Sequence, residues 1–287
     1  MINRKNIPVA ILIMSTVLVL AVLLSGCTSP TPAPGTTPTP TPVPQTDITV
    51  FAAASLGSAF NQTIVQFELL HPEINVLPPN YGSSGTLQTN IEQGAKTDVF
   101  ASAATSNMDA LKSKNLMDNS TVVNFARNKL ALIVPINNPA NITGLTDLNK
   151  SGIKMIIGAD SVPCGKYAVQ MLQKLRNTSG YGSAYYDAAW ANIKSRATDV
   201  SAIVASIALG EGDVGIVYAS DVQEKYQNQV KIIAIPDALN VIATYPIGVT
   251  ADSSHKDAAK AFIDFVMSPA GQAILAENDF MSPPAAA

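Results

Sequence analysis

Four short segments place small polar residues where an apolar run hands over to a helical pattern: ITVFAAASL at 48–56, YGSSGTL at 81–87, SVPCGKY at 161–167 and RATDVSA at 196–202. The first turn of a helix carries unpaired backbone N–H groups and a partial positive charge, so it binds anions without lysine or arginine. Aimed at one point, four such turns would cage a small oxyanion in hydrogen bonds. Ser55 closes the run ITVFAA and is placed to cap the helix that follows. Ser83-Ser84-Gly85 repeats the arrangement, its glycine allowing a close backbone approach. Pro163 suits a first helical turn because its missing N–H costs nothing there, which leaves the N–H groups of Cys164 and Gly165 outward. Asp199 is a plausible N-cap, leaving the N–H of Val200 in the first turn. Tyr218 ends the apolar run VGIVY and brings a phenol to the same edge. Taken singly, each is as well explained by an ordinary cap or a core aromatic; the chemistry lies in their convergence.

The elements that must position them alternate. Apolar runs predict strands at 48–53, 74–77, 98–103, 130–135, 154–158, 214–218, 230–235 and 244–249. Helical spacing follows Ser55 (Leu56, Phe60, Ile64, Phe67), Ser84 (Leu87, Ile91), Pro163 (Met171, Leu172, Leu175) and Asp199 (Ile203, Val204, Ile207). Phe262, Phe265 and Val266 predict one last long helix. Alternating strands and helices read as α/β layers with mostly parallel sheets, which bind ligands beyond the carboxyl ends of their strands. All four segments sit there.

The N-terminus is a separate matter. Arg4 and Lys5 precede an apolar run from Ile7 to Leu24, then Leu24-Ser25-Gly26-Cys27. This reads as a secretory signal at residues 1–27 whose ending resembles a lipobox, with Cys27 the lipidated residue; the alternative is an uncleaved membrane anchor. Residues 28–46 are nearly all Thr and Pro, an extended linker that cannot pack a core. Without Arg4 and Lys5 the chain keeps 16 basic and 21 acidic residues, a net charge of −5. No basic block occurs, which argues against nucleic acid and leaves local dipoles to gather any anion. With Cys27 lipidated, Cys164 stands alone and no intramolecular disulfide is expected.

The segments ITVFAAASL, YGSSGTLQTNIEQGAKTDVFASA, SVPCGKYA and DVSAIVASIALGEGDVGIVYASD, in that order from about residue 48 to 278, resemble the extracytoplasmic molybdate-binding proteins of ABC importers. The resemblance implies a two-lobed fold, each lobe a mostly parallel sheet flanked by helices with a hinge between. It implies lobe 1 at 47–127 and 244–287 and lobe 2 at 128–243. It further implies a tetrahedral oxyanion, molybdate or also tungstate, held by hydrogen bonds alone. Carried over by position, Ser55 and Ser84 would each supply a hydroxyl and an N–H. Cys164 and Val200 would each supply an N–H, and Tyr218 its hydroxyl. Alanine is frequent in that family where this chain has Cys164. A related archaeal group adds carboxylates to the metal, but Val217 stands where its glutamate is expected, so no direct metal ligand is assigned. The implied role is capture outside the cell and delivery to a permease and its ATPase, by a monomer tethered to the membrane, with no cofactor.

Sulfate and phosphate stay open as alternative anions. Hydrogen phosphate needs an acceptor for its proton, and Asp160 or Asp199 could serve. A serine hydrolase is the rival from another class. It lacks G-x-S-x-G, and neither His71 nor His255 falls in a candidate segment, so no enzyme activity is expected. Gly210-Glu211-Gly212-Asp213-Val214-Gly215 spells a dinucleotide fingerprint, but a helical pattern precedes it and a strand follows, the reverse of the required order.

Overall fold

The computed structural model describes residues 45–222 and 226–283. The signal at 1–27, Cys27 and the linker up to residue 44 lie outside the described residues. Among those described, no helix is long and apolar enough to cross a membrane.

Strands β1 (Thr46–Ile48) and β2 (Val50–Ala53) open the fold, followed by a 3₁₀ turn at Ala54–Leu56 and helix α1 (Gly57–Leu70). Next come β3 (Ile74–Val76), β4 (Asn80–Gly82), α2 (Ser84–Glu92), β5 (Val99–Ala101) and α3 (Thr105–Ser113). The long strand β6 (Val123–Pro135) leads into β7 (Met155–Gly158), α4 (Pro163–Arg176), α5 (Gly182–Ala191) and β8 (Ile193–Ala197). Helix α6 (Val200–Ala208), β9 (Val214–Tyr218), β10 (Val230–Ala234) and β11 (Ile242–Val249) follow, and α7 (Lys256–Met267) and α8 (Pro269–Glu277) close the chain.

β1 and β3 form a separate parallel pair; the other strands lie in one sheet of order β4-β2-β5-β11-β6-β9-β7-β8, with β10 also on β6. Pairing is parallel in β4-β2-β5 and in β9-β7-β8, and antiparallel through β11 and β6 between them. β6 changes partner along its length. Residues 123–129 face β11, while residues 130–135 face β9 and β10. A register shift between Tyr245 and Pro246 bends β11 beside this point.

Buried aromatic rings run through the core. Phe262 meets Phe60 and Phe67 edge-on, with centroids 5.8 and 5.3 Å apart. Phe60 touches Phe125, Phe125 touches Tyr245, and Tyr245 lies 5.7 Å from Tyr218. Edge-to-face pairs of this kind add about 0.5–1.5 kcal/mol each beyond area burial.

The structure departs from the sequence expectations in three places. Strand β4 occupies Asn80–Gly82, inside the segment read as the approach to a helix. Strand β8 forms an edge from Ile193-Lys194-Ser195-Arg196-Ala197, whose exposed polar residues blunt the open ladder and carry no apolar alternation to betray it. The last long helix is two helices. Pro269 cannot continue α7, and the Ser268 hydroxyl accepts the Gly271 N–H at 3.2 Å to start α8.

Candidate functional site

The carboxyl ends of β2, β4 and β9 and the N-termini of α2, α4 and α6 enclose one cavity. Ser55, Ser84, Cys164, Val200 and Tyr218, the five residues named from the sequence, all line it. Its volume is about 200 Å³. Cavities that hold organic ligands are larger, about 300–1,000 Å³. A larger, open groove of about 1070 Å³ lies over Val65, Leu70, Phe265 and Ile274 on α1, α7 and α8. It shares no lining residue with the enclosed cavity and gathers none of the four segments.

Each wall presents donors for a local reason. Ser84 is the first residue of α2 and Val200 the first of α6, so neither backbone N–H has an intrahelical acceptor. Pro163 takes the first position of α4 and places the N–H of Cys164 in the same condition. Asp199 caps α6 by accepting the Ala202 N–H on Oδ1 at 3.0 Å. Ser83 caps α2, as the Thr86 N–H points at its Oγ at 3.5 Å.

Ser55 is different. It sits in the 3₁₀ turn ahead of α1 and makes no side-chain cap, contrary to the expectation that it caps this helix. Its Oγ lies 3.0 Å from the Tyr245 hydroxyl instead. The Ser84 Oγ accepts the N–H of Ala103 at 2.9 Å, which leaves the Ser84 proton free to turn toward the cavity. Tyr218 is 1% exposed and its hydroxyl has no partner among the described residues. An orphaned buried hydroxyl on the wall of a small cavity is a donor awaiting an acceptor.

The side chain of Cys164 takes no part in this wall. Its Sγ is fully buried and points back to the Ile216 carbonyl at 3.4 Å. Burial, aided by Asp221, pushes the thiol well above its ordinary pKa, so it stays protonated and unreactive. Burial does the same for the Tyr218 phenol, with Tyr245 adding to it, so the phenol keeps its proton. Asp221 sits behind Tyr218: its Oδ2 accepts the Tyr218 N–H at 2.7 Å, and its Oδ1 has no partner among the described residues. Burial, with a smaller push from Asp199, raises its carboxyl to about 8 against the opposing pull of that N–H. The neutral acid is therefore the form that suits an anion next door.

Two carboxylates were candidates to accept a proton from hydrogen phosphate. Asp160 is not among the lining residues; it is exposed and paired with Arg196 at 3.0 Å. Asp199 does line the cavity, with one oxygen occupied by the α6 cap. His71 and His255 do not line it; they lie near Glu73 and Asp98. Among the described residues no group of three or more His, Cys, Asp or Glu could hold a metal ion. Gly210 follows α6 with a φ of +74°, so the fingerprint-like glycines turn the chain from helix to strand, as their order requires.

The sequence reading named Ser83 and expected a close backbone approach at Gly85, but it missed their partner Ser161, and it missed Ala103 and Tyr245 altogether. Ser83 donates its hydroxyl proton to the Ser161 carbonyl at 3.0 Å, joining α2 to the turn before α4. Gly85 packs on the same carbonyl so closely that a Cβ there would lie 2.2 Å from it. Ala103 lines the cavity just beyond β5, where Ser102-Ala103-Ala104-Thr105 forms a fifth strand-to-helix junction of the same kind. That junction was a usable signal. Tyr245, in mid-strand, offered none.

The chain is similar to known proteins over most of its length. Residues 48–280 match the family model described as bacterial extracellular solute-binding protein. The molybdate-binding protein ModA of Mycobacterium tuberculosis is 32% identical over 238 residues, covering 82% of this chain and 85% of that one. The periplasmic molybdate-binding protein of Azotobacter vinelandii has a similar fold, with a TM-score of 0.70 at 20% identity, over 82% of this chain and 99% of the other. So has the sulfate-binding protein SubI of Mycobacterium tuberculosis, with a TM-score of 0.75 at 20% identity, over 84% and 88%.

Proposed function

The chain belongs to the bacterial extracellular solute-binding proteins, and from that premise we propose that it captures molybdate outside the cell and hands it to an ABC importer. The carrying observation is that one small cavity is lined by Ser55, Ser84, Cys164, Val200 and Tyr218, the last a buried phenol with no partner among the described residues. In this reading Ser55 and Ser84 each give a hydroxyl and an N–H, Cys164 and Val200 an N–H each, and Tyr218 its hydroxyl. Charge-assisted hydrogen bonds contribute about 1.5–3 kcal/mol each, so the set supplies roughly 10–20 kcal/mol gross against the dehydration of a dianion. The balance favours binding only because helix termini are already oriented. A cage of donors suits an anion without a proton, which favours molybdate or tungstate over hydrogen phosphate.

Residues 47–127 and 244–287 form one lobe and 128–243 the other, joined through β6 and β11. The change of partner along β6 at Lys129 and Leu130 supports this division. Ligand contacts from both sides favour the closed arrangement, which a permease with its ATPase receives. The protein acts as a monomer and is no enzyme. It is held at the outer face of the membrane by lipid on Cys27 or by an uncleaved N-terminal segment.

Isothermal titration of the full-length protein in detergent with molybdate, tungstate, sulfate and phosphate tests the reading. Molybdate and tungstate are expected to bind most tightly. Binding of none of the four refutes it, and a preference for sulfate reassigns the ligand.

A further inference from the structure

We infer that Tyr245 sets the direction of the Ser55 hydroxyl and is thereby a positioning residue for the anion, an inference that rests on the binding role proposed for Ser55. Tyr245 is fully buried on β11 and does not line the cavity. Its hydroxyl lies 3.0 Å from the Ser55 Oγ, and the Asn128 amide on β6 acts on the same phenol as a neighbouring donor, opposing the rise that burial imposes. The polarity of this chain follows from its far end. The Asn128 Oδ1 already accepts the Lys129 N–H at 2.9 Å, and its Nδ2 donates to the Ser220 Oγ at 2.7 Å. A second N–H remains on that amide, and it is the group left to offer Tyr245.

Tyr245 then accepts from Asn128 and has one proton to give, which goes to the Ser55 Oγ. With that lone pair occupied, the Ser55 proton turns into the cavity. The reverse polarity would send the Ser55 proton to Tyr245 and present an oxygen lone pair to a dianion, which is repulsive. The hydrogen bonds therefore run Asn128 to Tyr245 to Ser55 to ligand, and each link strengthens the next. Burial holds the Tyr245 phenol well above its ordinary pKa, so its proton is permanent. Asn128 and Tyr245 also lie on the two strands that join the halves of the sheet. Ser55 is oriented only when those strands hold their register.

A purely structural Tyr245 would act through its ring, which meets Phe125, Tyr218 and Phe280. Tyr245→Phe keeps those contacts and removes only the hydroxyl. The test is a double-mutant cycle in the full-length protein: wild type, Tyr245→Phe, Ser55→Ala and the double variant, each titrated with molybdate and with phosphate and melted without ligand. Tyr245→Phe is expected to weaken molybdate roughly 5–10-fold, the size of one hydrogen bond, and to weaken phosphate less, because a free Ser55 hydroxyl can accept a proton. In the Ser55→Ala background the same change is expected to cost less than twofold. Independent, additive losses, or an equal loss for both anions, overturn the inference. Asn128→Ala, taken through the same cycle, carries the test if Tyr245→Phe melts out. The proposed function fails separately, if wild type binds no oxyanion or Ser55→Ala binds molybdate as wild type does.

Discussion

Gly85→Ala tests whether the cavity forms by pressing α2 against the turn before α4. The added Cβ would lie 2.2 Å from the Ser161 carbonyl oxygen and 3.1 Å from its carbon. Both are backbone atoms, so no side-chain rotation relieves the overlap. Restoring ordinary carbon–oxygen contact needs the two segments to part by about 1 Å. That stretches the Ser83–Ser161 hydrogen bond, now 3.0 Å, beyond useful length. Cys164 lies three residues after Ser161 and moves with it, while Val200 stands on the same side of the cavity. If the N–H groups of these two residues lose their hold on the ligand, the loss is two charge-assisted bonds of about 1.5–3 kcal/mol each. Affinity should then fall roughly 10²–10⁴-fold. The cores on either side are untouched, so the melting temperature without ligand should fall only by the worth of the Ser83–Ser161 hydrogen bond, about 1 kcal/mol or roughly 2–4 °C. Titration calorimetry with molybdate reads the affinity, and the ligand-induced rise in melting temperature reads it independently. Gly85→Ala binding within threefold of wild type would refute the reasoning.

Ser55→Ala combined with Ser84→Ala should abolish measurable molybdate binding by calorimetry. It should also lower stability by about 1–3 kcal/mol, because the buried Ala103 N–H loses the Ser84 acceptor; denaturant melts measure this. Cys164→Ala should bind molybdate within threefold of wild type, and a thiol reagent should label native Cys164 only on unfolding, since its Sγ is buried and faces Ile216. Asp221 predicts a pH dependence. Its folded pKa of about 8 stands above the unfolded value of 3.8, so the folded state holds a proton that the unfolded state has lost, and stability falls as pH rises through that window. Melting temperatures from pH 5 to 9 should decline in wild type and flatten in Asp221→Asn.

Sequence reading worked where the chemistry is backbone chemistry. Pro163, Asp199 and Ser83-Ser84 announce helix starts by local steric and capping rules, and those starts are where the cavity lies. Ser55 was found for a reason that proved incomplete, because its hydroxyl partner is 190 residues away in sequence. Tyr245 and the contact between Gly85 and Ser161 depend on elements brought together only by the tertiary fold, so no local pattern marks them. Polar β8 was missed because an edge strand needs no apolar face, and the break at Ser268-Pro269 was missed because the apolar periodicity continues past it.

The placement of β11 between β5 and β6 has a consequence for biogenesis. β5 ends at Ala101, yet its antiparallel neighbour is not synthesised until Ile242–Val249. Until then the amino-terminal half leaves the ribosome with an open β edge and without the rings of Tyr245 and Phe262 that complete its core. A chain that cannot finish folding before Ile242–Val249 appear stays threadable, which is the state a membrane-crossing export channel must receive.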